Sequence, residues 1–552
     1  MSGTVVPPQP AATGSAQRTV RRLIVYTLLA VLVMISAIGI AGLLERLFDL
    51  AAPFAGAGAG DLALSLAFTL IGGPLAAVLW WSVWRRLDDE SERGSLAWGL
   101  YLTVLTTVAL IVATSALIGA AGSLLDGRPA DAEIATAISW ALVWAWHRWM
   151  LGHPRKGPVR MATVPIVLGA AYGLLLGLSG GVRALGMLFD AAIRGTSAVA
   201  IAGDPFWPPL LEAAVPLLAG ALIWWWHWFR DGARRLVTGF ADVALVVVGV
   251  LATAVTMLGG IAVALFVVLR LLFDRSDPAS VVLEPLGIAI AAATVGALAW
   301  VYHRRIALER SERTRRASRL VMSGLGLVAA ASGIGVVVNA ALAELASPIA
   351  ASGERTLLLG GLSALVVGAP VWWLSWSPAR PAAPAEAADA GRRVYLIAVF
   401  GLSAIVALVA LLVVGYRLFE FALDPTSAAS LVDRIRAPLG LLVATALVFG
   451  YHFAVWRRDR SLLASSGVAP ARRIARVVLV GDGDTVEIER AIVQATGASV
   501  TVWRRVPAEP GPIPTAAPDA AALVAALEGV SARRVLLLAG PGDRVEAVPL
   551  AD

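Results

Sequence analysis

The feature that most constrains this chain is a succession of apolar runs, each long enough to cross a lipid bilayer. A hydrocarbon core about 30 Å thick needs about 20 helical residues. Inside it no water satisfies the peptide groups, so each run must bond to itself as a helix. The sequence predicts twelve crossings, at 23–44, 62–84, 96–121, 133–149, 161–187, 207–228, 240–272, 281–303, 319–346, 355–376, 393–419 and 435–456. The run at 240–272 is long for one crossing and short for two, and tilt is the simpler reading.

The runs pair into units with matching ends. First helices close on Leu47-Phe48-Asp49, Leu124-Leu125-Asp126, Leu188-Phe189-Asp190, Leu272-Phe273-Asp274 and Leu418-Phe419-Glu420, with a degenerate form near Glu344. Second helices close on aromatic tips followed by Arg, such as Trp80-Trp81-Ser82-Val83-Trp84, Trp144-Ala145-Trp146-His147 and Trp224-Trp225-Trp226-His227-Trp228. The later tips run through Trp300-Val301-Tyr302-His303, Trp372-Trp373-Leu374-Ser375-Trp376 and Tyr451-His452. A motif held at one period is the mark of internal duplication. The expected fold is an all-α polytopic membrane bundle of six parallel two-helix repeats, at 18–90, 91–155, 156–232, 233–312, 313–380 and 390–460. Two crossings per unit give every copy the same orientation, unlike the inverted repeats behind rocking transporters.

These units resemble a bacterial membrane-protein family classed as a domain of unknown function. The Arg-led first helix, the Leu-Phe-Asp close and the aromatic-His tip carry the resemblance, over roughly residues 18–460. It implies architecture and no chemistry.

Charge sets orientation. Arg85, Arg86, Arg93, Arg148, Arg155, Arg230, Arg234, Arg235 and the run from Arg304 to Arg319 follow even-numbered helices. Asp49, Asp61, Asp126, Asp131, Asp190, Asp204, Asp274 and Asp277 follow odd-numbered ones. Basic loops stay inside, so both termini are expected in the cytoplasm of a bacterium, with the helices in its inner membrane. The net charge of +7 is therefore a topology signal, and nucleic acid is not an expected partner. With 58% hydrophobic and 15% charged residues, the chain lies far from the quarter or so of charged residues usual in soluble domains. The absence of Cys excludes disulfides and thiolate metal sites. Lys156, the single lysine among 45 basic residues, reads as a composition bias.

Outside the helices, 1–17 reads as a disordered arm without a cleavage site. Residues 461–470 read as a linker, and 471–552 as a small cytoplasmic α/β domain. Strands are predicted at 474–480, 499–504, 534–538 and 546–550, and a helix near 519–529. Gly481-Asp482-Gly483-Asp484 opens a further helix, with Asp484 and Glu487 at capping-box spacing. That turn lacks the full dinucleotide fingerprint, and its carboxylates repel phosphate.

Candidate sites are few. His147, His227, His303 and His452 share one place in the repeat, where they would ligate a metal, relay protons or anchor at the interface. Anchoring is the expectation, since Arg follows most of them. His153, in a Gly-Pro loop, is expected to be solvated. The Trp tips are expected to form an interfacial belt. Arg46, Arg183 and Arg270, with Glu212 and Glu284, fall near outer helix ends, as snorkelling pairs or as a charged vestibule. No catalytic triad, paired-carboxylate site, Walker motif, metal site or cofactor site is read. The functional expectation is a non-enzymatic scaffold or sensor in the bilayer, whose C-terminal domain docks a cytoplasmic protein. The alternative is a transporter or channel with a path between repeats.

Overall fold

The computed structural model describes residues 13–49, 58–195, 207–274, 276–346, 352–377, 384–423, 430–465, 474–481, 486–504, 520–527, 530, 532–539 and 545–550. Its long helices among these residues are α1 (Thr13–Asp49), α2 (Ala59–Arg86), α3 (Leu96–Leu125), α4 (Asp131–Leu151), α5 (Val164–Gly195) and α6 (Trp207–Arg230). They continue as α7 (Gly239–Phe273), α8 (Ala279–Glu309), α9 (Glu312–Ala346), α10 (Ser352–Trp376), α11 (Ala390–Leu423) and α12 (Leu431–Ser465). Eleven helices are long and apolar enough to cross a membrane, and the protein is a multi-pass membrane protein. The twelfth expected crossing, α4, is 21 residues long but is not among the eleven. Its four tryptophans, with Asp131, Glu133, His147 and Arg148, lower its hydropathy while its length still reaches about 30 Å.

The long run at 240–272 is one helix, α7, spanning 35 residues. It contains a π-helical stretch, Leu245–Ala252, and α2 and α6 contain shorter ones at Phe68–Gly72 and Trp226–Arg230. Helix ends follow the side chains. Ser95 and Thr238 cap the starts of α3 and α7 by accepting from Trp98 N and Ala241 N. Gly127 and Gly232, at φ of +70° and +79°, take the left-handed turns after α3 and α6.

Helices within a unit meet closely where they carry glycine. A Cβ on Gly220 of α6 would lie 2.1 Å from Gly177 N of α5. On Gly260 of α7 it would lie 2.4 Å from Ala293 N of α8, and on Gly326 of α9, 2.4 Å from Trp372 N of α10. Lipid offers helices no hydrophobic drive to associate, so contact must come from such close backbone approach. The pair α3–α4 packs differently, on buried Trp98, Tyr101, Leu102, Leu105 and Met150.

The chain parts into two compact units. One holds Met1–Arg380 with Ile397–His452, and the other Pro381–Leu396 with Phe453–Asp552. The second is therefore larger than the expected 471–552. Helices α11 and α12 have 34 and 35 residues, about 50 Å, and outrun the hydrocarbon. Buried Arg392 and Asp459, on their ends, pair at 2.8 Å inside this second unit. The first five residues of the linker expected at 461–470 are helical, because α12 continues through Ser465 with no breaker in the way. At the other end α1 begins at Thr13, inside the arm expected to be disordered.

The second unit also holds a four-stranded sheet: β1 (Arg476–Gly481), β2 (Ser499–Arg504), β3 (Arg534–Ala539) and β4 (Val545–Leu550), in the order β2-β1-β3-β4. β1 pairs in parallel with β2 and β3, and β4 runs antiparallel to β3. Alternate residues Val477, Leu479, Val535 and Leu537 bury one face against Ile488 and Ile492 of α13 (Val486–Thr496) and Leu527, which follows α14 (Ala520–Ala525). The turn residues Asp482–Asp484 lie outside the described residues.

Candidate functional site

The repeat histidines are built alike. His147, His227, His303 and His452 are buried, and each Nδ1 faces the carbonyl four residues earlier. The distances are 2.7 Å to Val143, 2.9 Å to Ile223, 2.7 Å to Ala299 and 2.8 Å to Val448. A carbonyl only accepts, so Nδ1 carries the proton and Nε2 is left as an acceptor. Among the described residues no three His, Asp or Glu side chains gather as metal ligands would.

Three of the four face a tryptophan on the second helix of the preceding unit. His147 of α4 lies 6.0 Å from Trp80 of α2, ring to ring. His303 of α8 lies 5.9 Å from Trp224 and 5.4 Å from Trp228, both of α6. His452 of α12 lies 6.3 Å from Trp372 and 5.6 Å from Trp376, both of α10. Trp228 Nε1 donates to Tyr302 Oη and Trp376 Nε1 to Tyr451 Oη, each at 2.9 Å. His147 has a partner of another kind, for Tyr101 Oη donates to its Nε2 at 3.0 Å.

His227 keeps the tip register of the others, three residues after Trp224 as His147 follows Trp144 and His303 follows Trp300, but its ring meets a different surface. His227 sits among the tip residues of α6, where α2 carries Val83 and α10 carries Ser375. Its ring stands on Gly169 of α5, where a Cβ would lie 2.5 Å from His227 Cδ2. The Trp tips also divide. Trp81, Trp146, Trp149, Trp225, Trp226 and Trp373 are exposed, as a belt requires, while Trp228 and Trp376 are buried. His153 is half-buried, so it is solvated only in part. Its Nδ1 accepts from the amides of Arg155 and Lys156, and its ring stands edge-on to Trp84 and Trp149. Lys156, which composition alone passes over, is buried and donates to Trp84 O at 2.9 Å and Asp88 Oδ1 at 2.6 Å.

The outer charges do not converge. Arg270 pairs with Asp274 at 3.4 Å and Asp277 at 2.5 Å, the snorkelling pair expected of it. Arg46 instead donates to Gly58 O at 2.9 Å. Arg183 and Glu284 are exposed and Glu212 is half-buried, and among the described residues no hydrogen bond or ion pair joins these five. Asp274 is held down at about 2, from an ordinary 3.8, chiefly by the Thr356 hydroxyl at 2.6 Å, with help from Ser276 and Arg270.

Cavities lie elsewhere. One of about 660 Å³ runs between α9, α11 and α12, past Gly335, Asn339, Ser403, Leu441 and Thr445. Its Ser403 and Thr445 hydroxyls donate to carbonyls of their own helices, which leaves an apolar wall. A small one of about 30 Å³ adjoins His303.

The aromatic contacts thus join successive units in twos: α2 with α4, α6 with α8, α10 with α12. In comparison with known families, the model of a domain of unknown function (DUF5671) matches residues 22–146 and again residues 316–447. The chain is thus similar to that domain over two separate stretches. One match runs from α1 into α4 and the other from α9 into α12, so each spans two of the two-helix units. Comparison with curated proteins and with solved structures finds no match.

Proposed function

We propose that the protein is a non-enzymatic scaffold of a bacterial inner membrane. In this reading three four-helix groups, α1–α4, α5–α8 and α9–α12, form the bilayer part, and the middle one is a diverged third copy. The C-terminal α/β sheet is a docking module for a cytoplasmic protein. The observation that carries the reading is the use made of His147, His303 and His452. Each ties its Nδ1 to its own helix and lays its ring against a tryptophan of the helix beside it. Such a ring braces two helices and is closed to solvent, which suits architecture better than proton transfer. Support for the sheet as a module comes from its own core of Val477, Leu479, Val535 and Leu537. A transporter reading draws less support, because the cavity between α9, α11 and α12 has a mostly apolar wall that suits hydrocarbon and not a hydrated ion.

Both termini are cytoplasmic in this proposal, on the strength of the Arg-rich loops. A cysteine at exposed Ser311, in a chain without native Cys, tests it. The expected outcome is no labelling by an impermeant thiol reagent outside intact cells, and full labelling after permeabilisation. Labelling from outside would reverse the topology and remove the cytoplasmic partner with it.

A further inference from the structure

The aromatic brace of the middle group is incomplete. His303 is buried with Nδ1 spent on Ala299 O, and its Nε2 has no hydrogen-bond partner. The indole Nε1 of Trp224, whose ring lies 5.9 Å from the imidazole, is also buried without one. One of these atoms only accepts and the other only donates. Both residues line the cavity of about 30 Å³, together with Trp228, Leu245, Gly249 and Arg310. Arg310 does not supply the missing bonds. Its guanidinium donates to the carbonyls of Leu236 and Arg234 and lies 3.4 Å from Asp242.

The register of the repeats explains the gap. Tyr101, whose hydroxyl serves His147, stands 25 residues before Asp126, which closes the third helix of its group. Tyr395 stands 25 residues before Glu420. The same count back from Asp274 reaches Gly249. A Cβ there would lie 3.1 Å from both Cβ and Cδ2 of His303, so the glycine admits the histidine close to the helix and takes the phenol away. Gly249 also lies in the π-helical stretch of α7, a local geometry that recurs where helices form sites.

We propose that this cavity binds one water molecule, which donates to His303 Nε2 and accepts from Trp224 Nε1 in place of the missing tyrosine. The space has room for a water, and two polar partners meet the minimum for a buried one. Leaving both groups bare would cost two buried hydrogen bonds.

The test uses the full-length protein. A density map that resolves ordered waters is expected to contain a peak within hydrogen-bond reach of both nitrogens. An empty cavity, or density larger than one water, would overturn the proposal. Independently, His303→Phe, Trp224→Phe and the double variant are compared by thermal unfolding. Each single variant is expected to lower Tm by a few degrees, and the double variant no further than the worse single one, since either change releases the same water. A rise in Tm on His303→Phe would mean that the cavity is dry, and fully additive losses would mean that nothing bridges the pair. Where a variant fails to fold, the map decides alone.

Discussion

The neighbouring helix pairs α3–α4 and α5–α6 close the same gap by opposite means. Around α3–α4 large side chains fill it: Trp98, Tyr101 and Met150 are buried in one cluster with Tyr26 of α1 and Val83 of α2, and Gly122 of α3 has nothing within 4 Å of where a Cβ would stand. In α5–α6 the side chains are removed instead, and Gly173, Gly177, Gly180 and Gly220 bring backbone against backbone. The histidines follow suit, for His147 rests on the Tyr101 phenol and His227 on the bare face of Gly169. The difference teaches that in this membrane part packing density, not one residue type, holds helices together. The motif at a helix tip therefore leaves open which surface it meets.

The most damaging way to break the filled pair is Trp98→Ala, which empties a fully buried site and strands the Lys156 carbonyl that its indole reaches at 3.1 Å. We expect a loss of about 3–5 kcal/mol, read as reduced folded yield and a lowered Tm in detergent. The glycine pair should respond to addition where the filled pair responds to deletion. Gly220→Ala forces a methyl against Gly177 N and is expected to cost about 1–3 kcal/mol. Gly122→Ala, on the open face of α3, should be neutral or gain up to about 1 kcal/mol. Equal Tm for the two alanine variants would dissolve the distinction.

A smaller change converts one style toward the other. Tyr101→Phe keeps the ring but removes the hydroxyl that His147 Nε2 accepts, leaving a buried acceptor as in the middle group. The expected cost is about 1–3 kcal/mol, and an unchanged Tm would mean that the phenol acts by packing alone. The smallest effect sits where the middle group meets α10, at Asp274. Because folding depresses its pKa from 3.8 to about 2, its contribution is complete above about pH 4 and is lost as pH falls toward 2. Thr356→Val removes the main cause, so the acid decline should still begin near pH 4 but be smaller and end at higher pH. A Tm-against-pH curve identical to that of the parent would assign the shift to other groups.

Much of the membrane part was legible in the chain, because bilayer thickness writes itself into run length and each unit ends on its own marks. The small-residue seams were legible as a class, but their register was not, since Gly220 and Gly122 look alike until a partner helix is placed. Run length could not separate α4 from the others, because tryptophans and charges dilute its hydropathy. The pairing of units in twos escaped a reading based on single tips: Trp80 and His147 lie far apart in sequence and meet only in the folded group. His227 shows the same limit, since a tip position shared with three other histidines does not say that its ring will meet Gly169. Lys156 gave no signal at all, because its partners, Trp84 O and Asp88, are set by a fold that its own loop does not encode.

The glycine seams also have a mechanical meaning. A contact made of backbone has no rotamers to change, so α5 against α6 can neither swivel nor slide without opening a void along its length. Between the groups lie single side-chain contacts, such as the Arg148–Asp231 pair at 2.6 Å and the Thr356–Asp274 bond at 2.6 Å. Such a molecule is a set of stiff plates on pliant joints. A load from the surrounding bilayer is expected to part such contacts before it opens a glycine seam.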